Sequence, residues 1–507
     1  MLDFRRWWNS PARPKVSFSQ PGSACSSTRH ARSQSIRIDS KTTLPLCYLS
    51  LVTDWNQQTA TRMQPPPGAS SSPRAVYIVD GARTPFIKAR GEPGPFTPVD
   101  LSVQCGRPLL LRQPMAPTDF DQVILGCVNV ISEEMNPARV AALRLGMGER
   151  MPAFTVQINC GSGMQSIDTA YRYIRSGDAD LILAGGTEAL SHSPLLFRQQ
   201  AVQWFADLAQ AKTIGQRLKA LSRFRPGHFK PVIGLERGLT DPVVSLNMGQ
   251  TAEKLAQLFS ISRQAADEYA AESQNRLHRA QQDGIFSGEI EPAFARDGRA
   301  YDFDDGVRPN SSADQLAKLK PAFEPPYGRV TAGNSSQITD GASWVVLASE
   351  AAVEKYDLTP RARIVDSQWA ALDPSVMGLG PVLSSAPLLQ RHELSLSDIG
   401  LWEINEAFAA QVLACVEAFA DDEFCRDILG LDAAVGRIDR DKLNVHGGAI
   451  GLGHPVGTSG NRIVLHMANA LHRLDQQRGI ASQCIGGGQG GAMLLERVGK
   501  LDLGGAS

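Results

Sequence analysis

The sequence predicts an α/β fold in which one structural unit occurs twice, and three observations carry that expectation. Short apolar strands alternate with stretches whose apolar residues recur at three and four, the period of a half-buried helix. Three glycine-bearing segments of the first half have counterparts in the same order in the second half. Between Ser191 and about Pro325 the alternation stops and a helical, Pro- and Gly-punctuated segment intervenes, after which the α/β pattern resumes.

In chain order, Ala75 to Val79 reads as a strand and GARTPF after it as a turn. Asp121 to Gly126 is a second strand, and Pro137 to Leu145 a helix with proline suited to its first turn. Phe154 to Ile158 is a short strand leading to Cys160, and from there Met164, Ile167, Tyr171 and Ile174 mark one face of a helix. LILAGG at 181–186 is a buried strand. Strands and helices of these lengths imply layers around a mainly parallel sheet. Phe197 to Phe224 and Arg263 to Gln282 are amphipathic helices of an inserted lid. It carries Lys212, Arg217, Lys219, Arg223, Arg225, Lys230 and Arg237, with only Glu236 among them opposing. That run is either a solvated face or a surface for an anionic ligand, a partner or an anionic membrane.

SWVVLA at 343–348 returns the strand pattern, and the repeat becomes visible. DFDQVILGCVN corresponds to DIGLWEINEAF at 398–408. The strand, glycine turn and helix around Cys160 correspond to NVHGGAIGLGHPVGTSG at 444–460, and LILAGGTEA to SQCIGGGQGG at 482–491. Two such units would bring their glycine turns together at a shared interface, where ligand sites of layered α/β proteins lie.

The composition narrows the class. With 507 residues, 42% apolar and 20% charged, the chain can hold two or three domains with sizeable cores. No apolar run reaches the roughly 18 residues of a membrane span. Eight cysteines without a CxxC pair argue against a disulfide framework and a zinc site and suit a reducing compartment. Residues 1–74 hold ten Lys or Arg against three acids. This basic, Ser- and Pro-rich extension reads as a transit peptide or, preferably, as sequence upstream of a start at Met63.

Four polar groups would then meet from four loops: Cys160, Asn405, His454 and Cys484. Cys160 precedes a helix, whose dipole and free N–H groups would ease its ionisation. Gly486, Gly488 and Gly491 match GxGxxG, but AMLLE after them reads as a strand, whereas a dinucleotide fingerprint must open a helix. GHPVGTSG lacks the GK[ST] ending of a phosphate loop. His446 and His454 have no further ligand at metal-binding spacing, so no metal is expected.

NCGSGMQS, GGTEALSHSP, MGQTAE, TAGNSSQITDGA, NEAFAAQ, NVHGGAIGLGHPVGTSG and CIGGGQGGAM resemble, in order, the signatures of the thiolase family, over about residues 75–497. The insertion VQWFADLAQAKTIGQRLKALSRFRP further resembles the thiolase subunit of fatty acid β-oxidation complexes. The resemblance implies two duplicated βαβαβαββ halves forming a five-layer αβαβα core. The halves are 75–355, with the lid inserted at 191–328, and 356–507. It implies CoA-dependent cleavage of 3-ketoacyl-CoA, or the reverse condensation of acetyl-CoA. Cys160 would be the nucleophile, His454 its base and an oxyanion donor, and Cys484 the general acid and base. Asn405 would hold an oxyanion-binding water, and the Gly486 backbone would serve the second oxyanion. Ser335, Ala407 and Phe408 would border the CoA and substrate channel.

Coenzyme A is then a co-substrate, with no permanently bound cofactor. A homodimer or homotetramer and a β-oxidation partner subunit are implied, with no nucleic acid and no transmembrane segment. The location would be the bacterial cytoplasm, or the mitochondrion if the extension is a transit peptide. A ketoacyl synthase would need a second histidine in place of Asn405 and has no use for Cys484. A non-catalytic acyl-CoA or lipid-binding relative would have no reason to keep all four groups.

Overall fold

The computed structural model describes residues 73–499. The first half runs β1 (Val76–Arg83), α1 (Pro98–Leu111), β2 (Gln122–Gly126), α2 (Pro137–Arg144), β3 (Ala153–Val156), α3 (Ser162–Ser176) and β4 (Leu181–Ala189). A long excursion follows, containing α4 (Gln199–Gln210), α5 (Ile214–Ser222), α6 (Met248–Leu258) and α7 (Arg263–Gln282), before β5 (Thr339–Ser349) closes the half. The second half runs β6 (Ala362–Ala371), α8 (Gly380–Arg391), β7 (Leu401–Ile404), α9 (Ala409–Ala420), α10 (Val456–Arg473), β8 (Arg478–Ile485) and β9 (Gln489–Arg497).

These strands lie in the order β7-β8-β9-β6-β1-β5-β4-β2-β3, with the two-residue strand Ile87–Lys88 beside β5. The halves meet where β1 pairs with β6 through Tyr77 opposite Arg363 and Ile78 opposite Ala362. Outward from that seam the first half presents β1, β5, β4, β2 and β3, and the second presents β6, β9, β8 and β7 in matching places. A single parallel bridge from Trp402 to Leu443 stands where β3 would have its counterpart. The repeat read from the sequence is therefore a repeat of topology.

Layering follows from which faces are apolar. Met164 and Ile167 of α3 and Ile463 and Leu465 of α10 share one core with Ile124, Val345, Ile364 and Ala481, which come from strands of both halves. Leu109 of α1 and Ala141 of α2 bury the other face of the first half with Trp344, and α8 covers β6, β8 and β9. The outcome is five layers, with α3 and α10 in the middle. Both of these helices start without a side-chain cap: their N-cap residues are Gly161 and Pro455.

Several sequence expectations are corrected. The sheet is mixed, not mainly parallel: β2 with β3, β2 with β4, and β7 with β8 are parallel, and the other neighbouring pairs are antiparallel. The reason is that the last strand of each half turns back as a hairpin partner of the one before it. GARTPF is not wholly a turn, because β1 continues through Arg83. A side chain at Gly81 would stand 2.5 Å from Leu465 and 2.7 Å from the Trp344 carbonyl, so that glycine marks close packing within a strand.

The helix expected over 197–224 is two helices, because Thr213 and Gln216 form a capping box that starts α5 afresh. Arg74, assigned from sequence to the extension, belongs to the fold: it pairs with Asp180 at 2.8 Å and donates to the Ala179 carbonyl at 2.6 Å. The rest of the extension, apart from Pro73, lies outside the described residues.

Candidate active site

The turn that carries Cys160 is held by local polar bonds. Asn159 adopts φ 45°, a left-handed conformation that asparagine tolerates better than most residues. The Ser162 hydroxyl donates to the Asn159 carbonyl at 2.7 Å and accepts from the Ile158 N–H at 2.9 Å. Cys160 is thereby left half-buried at the mouth of α3. Immediately behind it the first turns of α3 and α10 cross. A Cβ on Gly163 would stand 2.8 Å from the Gly457 carbonyl oxygen, and one on Gly186 2.3 Å from the same atom. Only glycine permits so close a crossing, and it brings the two glycine turns together as the repeat implies.

The second half supplies the facing groups. β8 ends at Ile485 and turns through Gly486–Gly488 into β9, with Gly487 at φ 93° and Gly488 at φ 79°. The strand after these glycines excludes a dinucleotide fingerprint, as the sequence suggested. The Gly486 N–H favours ionisation of the Cys160 sulfur, and Asn159 Nδ2 donates to the Gly486 carbonyl at 2.8 Å. Cys484 is buried at the end of β8, near enough to Cys160 that ionisation of one opposes the other.

His454 lies between a short helix, Ala449–Leu452, and α10. Its N–H donates to the Gln337 carbonyl at 2.9 Å. Its Nδ1 is 2.6 Å from Ser459 Oγ, whose hydroxyl donates to the Pro455 carbonyl at 3.3 Å. Because that proton is committed, Ser459 Oγ accepts from Nδ1–H, a tautomer assigned from the network. Nε2 is then the basic nitrogen, and it is buried without a protein partner.

Asn405 follows β7, where its N–H donates to the Ser482 carbonyl at 2.9 Å. Both atoms of its side-chain amide are also buried without a partner. Buried polar atoms of this kind are rare, and they mark where a water or a polar ligand is received.

Burial sets the electrostatics. It raises the Cys160 thiol above its ordinary value, while the Gly486 N–H pulls the other way. Even at the start of α3, loss of hydration leaves Cys160 above the ordinary thiol range, so a base is needed to take its proton. Burial raises Cys484 further, with Cys160 adding to the shift. His454 is lowered to about 4 by burial, with Arg462 contributing, so it is neutral and able to accept a proton at neutral pH. Two thiols and a neutral imidazole suit proton transfer coupled to nucleophilic attack.

Ser335, Ala407 and Phe408 form a neighbouring wall. Ser335 bridges to Phe408, the Ser336 N–H donates to the Ala407 carbonyl, and the Ala407 N–H returns to the Asn405 carbonyl at 3.1 Å. The Ser335 hydroxyl is committed to the Thr331 carbonyl at 2.7 Å. Phe408 packs edge-on against Phe323 of the insertion at 6.0 Å. A Cβ on Gly486 would lie 3.2 Å from Met248 Sδ at the start of α6, so the insertion reaches the reacting groups.

Sequence reasoning missed Ser459, Gln337 and Met248, although each falls within or beside a quoted motif. Ser459 had a readable signal, since five residues after His454 places its hydroxyl in the first turns of the helix that His454 precedes.

The basic run of the insertion is exposed, and Arg223 is drawn to Asp207 at 3.3 Å. Alongside it, Ile214, Leu218 and Leu221 form an exposed stripe on α5. Among the described residues no group of three His, Cys, Asp or Glu is placed to hold a metal, and no helix is long and apolar enough to cross a membrane.

The profile of the thiolase N-terminal domain matches residues 76–351 and that of the thiolase C-terminal domain matches 358–497. The chain is 38% identical over 425 residues to the mitochondrial trifunctional enzyme subunit beta of Bos taurus, covering 83% of this chain and 88% of the relative. It is 40% identical over 432 residues to the 3-ketoacyl-CoA thiolase of Pectobacterium carotovorum, covering 83% and 99%. Its fold superposes on human mitochondrial 3-ketoacyl-CoA thiolase in complex with CoA with a TM-score of 0.72. That match has 37% identity and covers 84% of this chain and 98% of that one.

Proposed function

The chain belongs to the thiolase family, and from that premise we propose that it is a 3-ketoacyl-CoA thiolase whose reacting groups are Cys160, His454, Cys484, Asn405 and Gly486. What supports the assignment is that two interacting thiols lie beside the crossing of α3 and α10, that His454, with its buried unpartnered Nε2, immediately precedes α10, and that Asn405 holds an unpartnered buried amide beside the strand bearing Cys484.

In the forward direction His454 Nε2 takes the Cys160 proton as the sulfur attacks the 3-keto carbon. The C2–C3 bond breaks, and the departing acetyl-CoA enolate takes a proton from Cys484. Cys160 then holds the shortened acyl group as a thioester. CoA gives its thiol proton to Cys484, and its sulfur attacks that thioester. Cys160 leaves as a thiolate and recovers its proton from His454.

The raised thiols explain why bases are needed: neither sulfur is a resting thiolate, so each proton must move as its bond forms. Oxyanions develop at two carbonyls. The N–H groups of Cys160 and Gly486 serve one, and protonated His454 with a water on Asn405 the other. The reverse condensation of two acetyl-CoA molecules uses the same groups.

Ser335, Ala407 and Phe408 border the pantetheine path in this reading, with CoA as co-substrate. The exposed Ile214, Leu218 and Leu221 stripe with its flanking cations fits a partner subunit of a β-oxidation assembly, and a homo-oligomer built on the family pattern completes the proposal. Cleavage of acetoacetyl-CoA with free CoA, followed at the enolate absorbance, tests the reading. It should depend wholly on the Cys160 sulfur, and substantial turnover by Cys160→Ser would sink the assignment.

A further inference from the structure

Glu188 is a buried carboxylate that the mechanism above leaves unused. It sits at the end of β4 with no exposed surface, in a strand otherwise composed of apolar and small residues. Glu188 Oε2 accepts from the Gly457 N–H at 2.9 Å and from the Val128 N–H at 3.2 Å, and Oε1 accepts from the Asn129 N–H at 2.9 Å. Gly457 is the second residue of α10. The residue that should cap this helix is Pro455, which has no side-chain group to offer, so an N–H at the positive end of α10 is satisfied from the other half of the molecule.

The same helix start carries His454, three residues before Gly457. It crosses α3 where that helix follows Cys160, with Gly457 packed against Gly163 and Gly186. Two helix N-termini meeting at van der Waals distance repel through their dipoles, and an anion between them offsets that repulsion.

We propose that Glu188 is a positioning residue of the thiolase reaction: by capping α10 from the opposite half, its carboxylate fixes where His454 stands relative to Cys160. The proposal rests on the assignment of Cys160 and His454 above.

The groups around Glu188 sharpen it. Asp340 of β5, the Cys127 thiol after β2 and the Cys160 thiol all interact with it electrostatically, and Glu134 bears on Cys127. Burial, with Asp340 adding and the three N–H groups opposing, raises the Glu188 carboxyl to about 7. A carboxyl raised above its unfolded value costs stability as pH climbs from the unfolded pKa through the folded one. Stability at neutral pH therefore gives no reason for an acid here, whereas an anionic cap does. Below about pH 7 the protonated group loses the strength of its bond to Gly457, and turnover should fall with it.

The test uses the full chain with Glu188→Gln and Glu188→Ala, read by kcat, KM and pH profile for acetoacetyl-CoA thiolysis. The isosteric Glu188→Gln keeps an acceptor for Gly457 and should fold. A kcat reduced about 10-fold, with KM within threefold of the parent and the limb near pH 7 gone, is expected. Glu188→Ala should fall about 100-fold in kcat, so that the amide partly rescues the alanine.

A Glu188→Gln protein with the parent's kcat and pH profile overturns the proposal, as does a loss that follows the folded fraction alone. Cys160→Ser, measured beside them, separates the two claims. If it is inert while Glu188→Gln is unchanged, only the capping role fails; if it turns over, the underlying assignment fails.

Discussion

The two halves close the same hairpin in different ways. In the second half β8 and β9 are joined by Gly486–Gly488 alone, whereas in the first the equivalent strands β4 and β5 are joined by residues 190–338. Both connections arrive at the reacting groups. The short turn delivers a backbone N–H to Cys160. The long one delivers Met248 beside Gly486 and Phe323 against Phe408. The same asymmetry recurs at the central helices, where α3 is preceded by a thiol and α10 by an imidazole. Duplication thus supplies a symmetric frame with two equivalent mouths, and chemistry comes from loading those mouths with unlike groups.

If that division of labour is right, damage should be graded by which half's contribution is lost. Cys160→Ser removes the nucleophile and should lower acetoacetyl-CoA thiolysis by more than about 1,000-fold in steady-state assays. His454→Ala should cost roughly 1,000-fold, with Cys160 still open to slow alkylation; equal damage in both measurements would mean that the histidine holds the thiol and does not deprotonate it.

Cys484→Ala should lose about 100-fold in turnover yet retain an acyl adduct on Cys160, visible as added mass on the intact protein. No adduct would place Cys484 in the first step and not the proton transfers. Ser459→Ala frees the tautomer of His454 and should lower kcat about 10-fold with little change in KM, and a pure KM effect would contradict the hydrogen bond read here.

The smallest effect belongs to the insertion's outer face. Leu218→Ser on the exposed stripe of α5 should leave kcat unaltered and improve solubility, and an activity loss would show that the long connection acts on the site from farther away than Met248.

One measurement bears on the electrostatics. Burial raises the Cys160 thiol, so its rate of alkylation by iodoacetamide should keep climbing as pH rises past 9. A plateau near neutral pH would reveal a resting thiolate and remove the need for His454 as its base.

The sequence made the repeat, the order of its motifs and the chemical identity of the reacting groups legible, because cysteine, histidine and glycine in those patterns have few other uses. Strand direction was not legible. Short apolar strands look alike whether parallel or antiparallel, and β4 finds β5 only across the whole insertion. Nor could the sequence show how far burial raises the Cys160 thiol, since burial is set by tertiary packing that no local pattern reports. Glu188 lay in plain view within GGTEALSHSP, but its role depends on a proline 267 positions away that leaves a helix uncapped.

The unequal hairpins also bear on the order in which the chain acquires its structure. β8 and β9 are neighbours in sequence and can pair on the microsecond scale of a local hairpin. β4 and β5 must close a loop about fifty times longer, which adds on the order of 3 kcal/mol of loop entropy before any pairing returns it. The later half of the chain should therefore protect its amides from hydrogen exchange first during refolding, leaving the half that bears the nucleophile to assemble against it.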